Sequence, residues 1–444
     1  MTPPRYAIAM TPDLDTLDIH RTDTYATHGF PWAAWDRLRR EAPVHWYERD
    51  DIEPFWAVTR HADILTVSAH PQIFVNGGPR LRMAMKGQPE IARAGLDEFG
   101  RERGWDADEP PDMVFTDNPR HRRLRKLTSW AYTRGAMRAM QAHFEQLAAR
   151  FTRDFMQRLR AADGAPVDFV HALAARLPLV ATAEILGLDE REHERILLWG
   201  DAMVGEVAAA DRLPGESRGR AAYRLMYELR QFFEDLIEEA RAHGRERGGL
   251  IDHMVRTPVG GQLLTNQQLN GYLFLLFGAG NDTTRNAFSG GVAALMAHPE
   301  QRERLRADPS LLPLAVEEIL RWTSPVGSFL RTATEDFVLA GSRIRAGDTV
   351  ALFYPSANRD ESVFDAPYCF DVGRSPNPHL TFGFGAHFCL GTNLARAELR
   401  ASLAALLPHL ADIEPAGTPT YIRQTHVLGY AHMPVRLAAG APRA

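Results

Sequence analysis

Only two cysteines, Cys369 and Cys389, occur in the 444 residues, and neither belongs to a CxxC pair or to a Cys/His cluster with zinc-finger spacing. A disulfide-stapled scaffold is excluded. An excess of positive charge is also missing: 51 Lys and Arg stand against 56 Asp and Glu, a formal balance of −5 at pH 7. No global basic field draws the chain to nucleic acid, so nucleic acid is not an expected partner. Long apolar runs are absent as well. Tyr272 to Phe277, the longest near the middle, falls far short of the ~18 residues of a membrane span, and no membrane anchor is expected. Met1 to Ile19 is polar, acidic and proline-bearing, without the basic stretch and apolar core of a signal peptide, so a cytoplasmic protein is expected. In that reducing compartment a thiol is free, catalytic or metal-bound rather than paired.

What remains is an ordinary globular composition, 45% hydrophobic and 24% charged. Neither a repeat nor a low-complexity tract divides the sequence, which predicts one continuous domain over residues 1–444, although ~150 residues per domain would suggest about three. The predicted fold class is mainly α with small β-sheets (α+β). Val44 to Tyr47 and Phe55 to Thr59 read as a hairpin, and apolar spacings of three and four run from about Pro119 to Ala307. Short strands return at Phe337 to Leu339, Ser342 to Ile344 and Thr349 to Phe353, followed by a late helix over Leu394 to Leu407. Residues 71–118 are the least regular stretch, either a lid or binding loop or a surface excursion.

The chemistry concentrates near the C-terminus, where Phe382, Gly383, Phe384, Gly385, Ala386, His387, Phe388, Cys389, Leu390 and Gly391 follow one another. Glycines flanking a cysteine let a backbone turn tightly and approach a flat object. Amide N–H groups and the N-terminus of a following helix favour a thiolate, which suits a metal ligand better than a core residue. At ~7% usage, three glycines at fixed positions arise by chance about three times in ten thousand. The run resembles the haem-binding loop FGxGxHxCxG of cytochrome P450 enzymes. That resemblance implies Cys389 as the proximal ligand of haem b (iron protoporphyrin IX), with Phe382, Gly383 and His387 as cofactor-binding residues and Cys369 as structural. It also implies the cytochrome P450 fold, with a long central helix crossing over a buried haem.

A second segment supports it. Thr265 and Gln268 form a capping box, and the helical pattern continues to about Ala297, roughly 48 Å at about 1.5 Å per residue. Its centre, Phe277, Gly278, Ala279, Gly280, Asn281, Asp282, Thr283 and Thr284, combines glycines with side chains that compete for backbone hydrogen bonds, which predicts a bulge or kink. The stretch resembles the family's AGxDTT motif. By that resemblance Thr283 and Asp282 are catalytic, Thr283 hydrogen-bonding the reacting dioxygen and Asp282 relaying protons to it.

Glu318 and Arg321 lie one turn apart on a helix expected to begin near Asp308 and Pro309, a spacing shared with the ordinary surface pairs Glu192/Arg195 and Glu303/Arg306. The context distinguishes them. Asn358, Arg359, Asp360, Phe364, Pro367, Phe370, Asp371 and Arg374 resemble the family's NRDxxxFxxPxxFDxxR meander, which implies a buried triad of Glu318, Arg321 and Arg374. Asp117 to Arg125 resembles the entry DPPxHxRxR, with Asn118 in place of the first proline; this implies that His121 and Arg125 contact haem carboxylates, as Arg331 would. Arg120, Arg122, Arg123 and Lys126 form either a solvated basic face or a docking patch for an acidic redox protein.

The resemblance spans roughly residues 40–435. It implies a soluble, bacterial-type haem-thiolate monooxygenase that uses O2 and electrons from a separate ferredoxin and its NAD(P)H-dependent reductase. By family analogy the substrate pocket includes Leu275, Ala279, Val326, Phe329 and Val427, with residues 71–118 as a substrate-access region. This apolar set suits a small hydrophobic substrate, lipid-like, terpenoid or steroid. A peroxide-driven peroxygenase and a noncatalytic haem-binding sensor are the alternatives.

Overall fold

A computed structural model describes residues 13–87, 98–203, 205, 207–243 and 249–440. Helices dominate. Those that build the site are α1 (Arg120–Thr128), α2 (Arg134–Ala161), α3 (Arg176–Leu186), α4 (His193–Met203), α5 (Arg218–His243), α6 (Asn266–Ala297), α7 (Leu312–Thr323) and α8 (Thr392–Leu406). The larger sheet comprises β1 (Val44–Tyr47), β2 (Phe55–Val58), β3 (Phe74–Val75), β4 (Ser328–Ala333) and β5 (Thr349–Phe353), in the order β1-β2-β5-β4-β3. The predicted hairpin forms with Val44 opposite Val58 and Tyr47 opposite Phe55. β2 then pairs parallel to β5, and β5 antiparallel to β4. β5 is buried at every residue because both of its edges and both of its faces are covered.

The expected small hairpin forms at Phe337–Leu339 and Ser342–Ile344. Its two turn residues, Ala340 and Gly341, both have positive φ, as a tight hairpin turn with the native strand twist requires. A separate three-stranded sheet joins Val167–Asp168, Pro434–Leu437 and Ile413–Pro415. Within residues 71–118 the structure is more regular than the sequence suggests. It contains β3, a helical stretch at 98–103 and a 3-10 turn at Met113–Phe115, while 88–97 lie outside the described residues.

α6 organises the molecule. Thr265 caps it as predicted: its hydroxyl accepts from the Gln268 amide at 3.2 Å, and Gln268 Oε1 accepts from the Thr265 amide at 3.0 Å. Its 32 residues span roughly 48 Å and pack against α3, α5, α7 and α8. The predicted bulge does not interrupt it; the helix is continuous from Asn266 to Ala297. The central glycines instead provide room. A Cβ at Gly278 would meet Met203 Cε at 2.4 Å, and one at Gly280 would meet Thr182 Oγ1 at 2.6 Å, so they let α4 and α3 approach the helix.

Candidate active site

Along the middle of α6, residues 276–278, 281–282 and 284–289 are buried, whereas Ala279 is exposed and Leu275 and Thr283 are partly exposed. These three residues are four apart and share one face. An exposed alanine in the middle of a helix wrapped on its other sides marks an open space inside the protein. The Thr283 hydroxyl borders it and donates to the Ala279 carbonyl at 3.0 Å. Val326, Phe329 and Val427 are each partly exposed, and Val326 bridges to Val427 across two loops.

Asp282 points elsewhere. It is buried, with Arg285 Nη2 at 3.2 Å from Oδ1, and Arg285 Nη1 in turn reaches Asp201 Oδ1 on α4 at 2.8 Å. Burial raises the Asp282 carboxyl to about 6 against the opposing pull of Arg285, so it exchanges its proton near neutral pH. A second acid, Glu398 on α8, was not singled out by the sequence reading. Both of its carboxylate oxygens are buried without a hydrogen-bond partner, the Thr284 hydroxyl lies beside it, and burial holds its carboxyl well above the usual range. The signal was available: Leu394, Glu398, Ala401 and Ser402 form the inward stripe of α8, where an acid replaces an expected apolar residue.

The loop ahead of α8 carries Cys389. Gly383 and Gly385 have φ of +71° and +78°, and a Cβ at Gly385 would meet the Ser68 carbonyl oxygen at 2.3 Å. Both positions therefore require glycine. Gly391 does not share this need, since its φ is −82°. The Cys389 amide donates to the Phe382 carbonyl at 2.9 Å, and Phe382 lies under the Arg396 guanidinium, 4.6 Å from its ring centre. Cys389 sits deep in the protein, yet it is exposed, because its sulfur faces open space rather than packed atoms. Burial pushes its thiol up despite the opposing Gly391 amide and Thr392 hydroxyl. The ionising bias expected of this loop is outweighed, and a bound cation is what would hold the thiolate.

Cations gather beside the loop. His121 and His387 lie ring against ring, with centroids 3.9 Å apart. Burial first, then the nearby His121, Arg331 and Arg125, hold the His387 imidazole down at about 2. Burial and Arg125 hold His121 at about 4, against Asp117. Arg331 is buried and donates to the Leu330 carbonyl at 2.8 Å. No carboxylate among the described residues forms an ion pair with Arg125 or Arg331. Asp117, whose charge acts on Arg331 and His121, accepts from the Asn76 and Gly77 amides at 2.9 and 2.7 Å. A cleft lined by Phe74, Asn76, Arg331, Phe384 and His387 opens here. This cluster lacks an anion, and a soft sulfur faces open space nearby. The donor set fits a flat dianionic ligand carrying a metal, which is the chemistry of haem.

Of the four other cations at α1, Arg122, Arg123 and Lys126 are exposed, whereas Arg120 pairs with Glu109. α1 is fixed to α6 through Tyr272, whose hydroxyl donates to the Leu124 carbonyl at 3.0 Å and meets the Thr128 hydroxyl at 2.7 Å.

Behind the loop the expected triad forms. Glu318 Oε1 and Oε2 each accept from Arg321 at 2.7 Å, Arg374 Nε lies 3.1 Å from Oε2, and Asn377 and the Asp371 amide complete the shell. Arg321 also donates to the carbonyls of Asn358 and Pro367, both at 2.9 Å. The Asn358 side chain accepts from the Leu380 amide at 2.7 Å, which ties the triad to the cysteine loop. Cys369 contributes by its backbone: its carbonyl accepts from Arg321 and Arg374, while its side chain is exposed.

Comparisons with known proteins agree on one family. The family profile described as Cytochrome P450 matches residues 65–425. The chain is 34% identical over 447 residues to a methyl-branched lipid omega-hydroxylase of Mycobacterium tuberculosis, covering 98% of this chain and 96% of that protein. It is 30% identical to a steroid C26-monooxygenase of Mycolicibacterium smegmatis, covering 95% and 93%. Among solved structures, a Mycobacterium marinum cytochrome P450 in complex with pseudoionone superposes with a TM-score of 0.81 at 34% identity, covering 97% of this chain and all of that one.

Proposed function

The chain belongs to the cytochrome P450 family and is a monooxygenase, and we propose that it hydroxylates a small hydrophobic substrate, lipid-like, terpenoid or steroid. The observation that carries the reading is the accessible Cys389 sulfur, in a loop whose His387 stacks on His121 beside Arg125 and Arg331, and it is supported by the open Leu275–Ala279–Thr283 face of α6. The apolar Val326, Phe329 and Val427 favour such a substrate. The names of the relatives, acting on branched lipid and steroid, point the same way.

Haem b would be held by Cys389 and would supply the dioxygen chemistry of a monooxygenase there. The chain's own residues do the rest. His121, Arg125, Arg331 and His387 would hold the two carboxylates of the cofactor. Phe382 and Gly383 shape the turn that presents the sulfur. Thr283 holds a proton on its hydroxyl at the open face, currently donated to Ala279. Asp282, raised by burial to about 6, can exchange a proton one residue away, and burial shifts the Glu398 carboxyl beside Thr284 toward its protonated form. Leu275, Ala279, Val326, Phe329 and Val427 exclude water from the substrate side.

We propose that electrons come from a ferredoxin and its NAD(P)H-dependent reductase, meeting the exposed Arg122, Arg123 and Lys126, with the whole chain acting as one cytoplasmic unit. No helix among the described residues is long and apolar enough to cross a membrane.

The test is the visible spectrum of the reduced protein under carbon monoxide, for wild type and Cys389→Ala. The wild type should give the thiolate-type Soret shift and the variant should lose it; a shift that survives the substitution refutes the ligand assignment. A panel of branched fatty acids, terpenoids and steroids, screened by spin-state shift, tests the substrate class. Failure of every member would overturn it.

A further inference from the structure

Beside Asp201 of α4, three side chains from separate segments meet. Asp168 ends the strand Val167–Asp168, His171 lies in the following π-turn Val170–Ala174, and His432 ends the strand Tyr430–His432. Both imidazoles aim the same nitrogen at one carboxylate oxygen: His171 Nδ1 lies 2.5 Å and His432 Nδ1 2.8 Å from Asp168 Oδ2. The rings are stacked, 5.1 Å between centroids at 29°. All three donor atoms lie within 4.8 Å of one another.

The surroundings resemble the support of a metal centre more than a chance surface pair. Asp168 Oδ1 accepts from the Met433 amide at 2.9 Å and the Val170 amide at 3.2 Å, which fixes the carboxylate with Oδ2 turned to the histidines. The second nitrogen of His171, Nε2, lies 3.4 Å from Asp201 Oδ2. A histidine that ligates a metal through one nitrogen usually gives the other N–H to a carboxylate, which orients the ring and raises its basicity. Asp201 is itself held by Arg285 at 2.8 Å, so this outer carboxylate does not drift. The His432 side chain is half exposed, which leaves an approach for the ion and room for water to complete its coordination.

We propose that Asp168, His171 and His432 form a binding site for a divalent first-row transition-metal ion, ligated by two imidazole nitrogens and one carboxylate oxygen. Two nitrogens in a set of three select against calcium and magnesium, which prefer oxygen, and suit zinc. Metal bonds of about 2.0 to 2.1 Å in a tetrahedral arrangement set donor atoms roughly 3.3 Å apart. The contacts to Asp168 Oδ2 must therefore lengthen by about 0.8 Å at His171 and about 0.5 Å at His432, movements that the partly exposed His171 and the half-exposed His432 can make. The site is separate from the monooxygenase centre. It is joined to that centre by one ion-pair chain, Asp201 to Arg285 to Asp282, which reaches the acid beside Thr283.

Equilibrium dialysis of the haem-loaded full chain against Zn2+ alone, with metal counted by mass spectrometry, tests the site. The expected result is one saturable Zn2+ per chain, weakened at least tenfold in both His432→Ala and His171→Ala and unchanged in His143→Ala, which removes an exposed histidine paired only with Glu184. His432 lies at a half-exposed strand end, so its truncation leaves the fold intact, as the reduced carbon monoxide spectrum checks. Absence of saturable binding, or binding that His432→Ala leaves at full strength, means that the three side chains form a hydrogen-bonded ion cluster only, and overturns the proposal.

Discussion

Glu318→Ala isolates the charge balance that holds the cysteine loop in place. Glu318 and Arg321 are fully buried, and Arg374 is 10% exposed. Removing the carboxylate leaves two cations facing each other without a counter-ion, next to the buried Arg359. A buried pair broken on one side costs about 3 to 5 kcal/mol. An unfolding entropy of ~2.1 cal/mol/K per residue gives roughly 0.9 kcal/mol/K over this chain, so the expected fall in Tm is about 3 to 5 °C. Differential scanning calorimetry of haem-loaded wild type and variant measures it. Glu303→Ala, which breaks an exposed pair with Arg306 at 2.7 Å, is the control and should leave Tm unmoved.

The double variant Glu318→Leu with Arg321→Met sharpens the test. It removes both buried charges at once, while Arg374 keeps the carbonyls of Asp365, Ala366 and Cys369 as acceptors. Replacing a buried pair by apolar side chains is often close to neutral, so the double variant should be more stable than Glu318→Ala. A Glu318→Ala protein within 1 °C of wild type, or a double variant less stable than the single one, refutes charge compensation as the role of this cluster.

Other outcomes follow from the same geometry. Gly385→Ala places a methyl group 2.3 Å from the Ser68 carbonyl oxygen at a φ of +78°, so haem content per chain, read by the Soret to protein absorbance ratio, should fall sharply. Arg331→Ala removes a buried cation from a cluster that lacks an anion, and should speed haem loss to apomyoglobin. At Asp282 burial outweighs the Arg285 ion pair, so its shift has the sign opposite to that usual for a paired carboxylate. Its folded pKa, about 6, lies above the ordinary 3.8, so its burial lowers stability as pH rises through that window. Asp282→Asn should therefore gain on wild type in Tm between about pH 4 and pH 7; a constant difference across that range would contradict the assignment.

What the sequence made legible was local. The hairpin at residues 44–58, the strands at 337–353 and the cap at Thr265 depend on alternation, turn residues and side-chain spacing within a few positions, and all appear where the pattern sets them. The glycines at 383 and 385 were legible for the same reason. What the pattern could not carry was the identity of the neighbour. Gly278 and Gly280 read as flexibility, but their neighbours are Met203 and Thr182, more than seventy residues earlier, and closeness rather than bending is what glycine provides there. The Asp201–Arg285–Asp282 chain likewise joins α4 to α6, and no spacing within either helix announces it.

The polar groups left over after such pairing are informative in themselves. Buried polar atoms in a folded protein are almost always bonded, and exceptions mark places where something other than stability was selected. In this chain the two Glu398 carboxylate oxygens are such an exception, and Arg125 and Arg331 have no carboxylate ion pair among the described residues. Burial and neighbouring cations hold the His121 and His387 imidazoles well below their ordinary value, whereas burial pushes the Glu398 carboxyl well above its own. The two sets could have satisfied each other had the helices been arranged to join them. As they stand, the cationic set can receive carboxylates and the buried acid favours its protonated form. An enzyme that binds a dianionic cofactor and consumes protons at its centre requires that division, and the stability forgone by both sets is the physical trace of it.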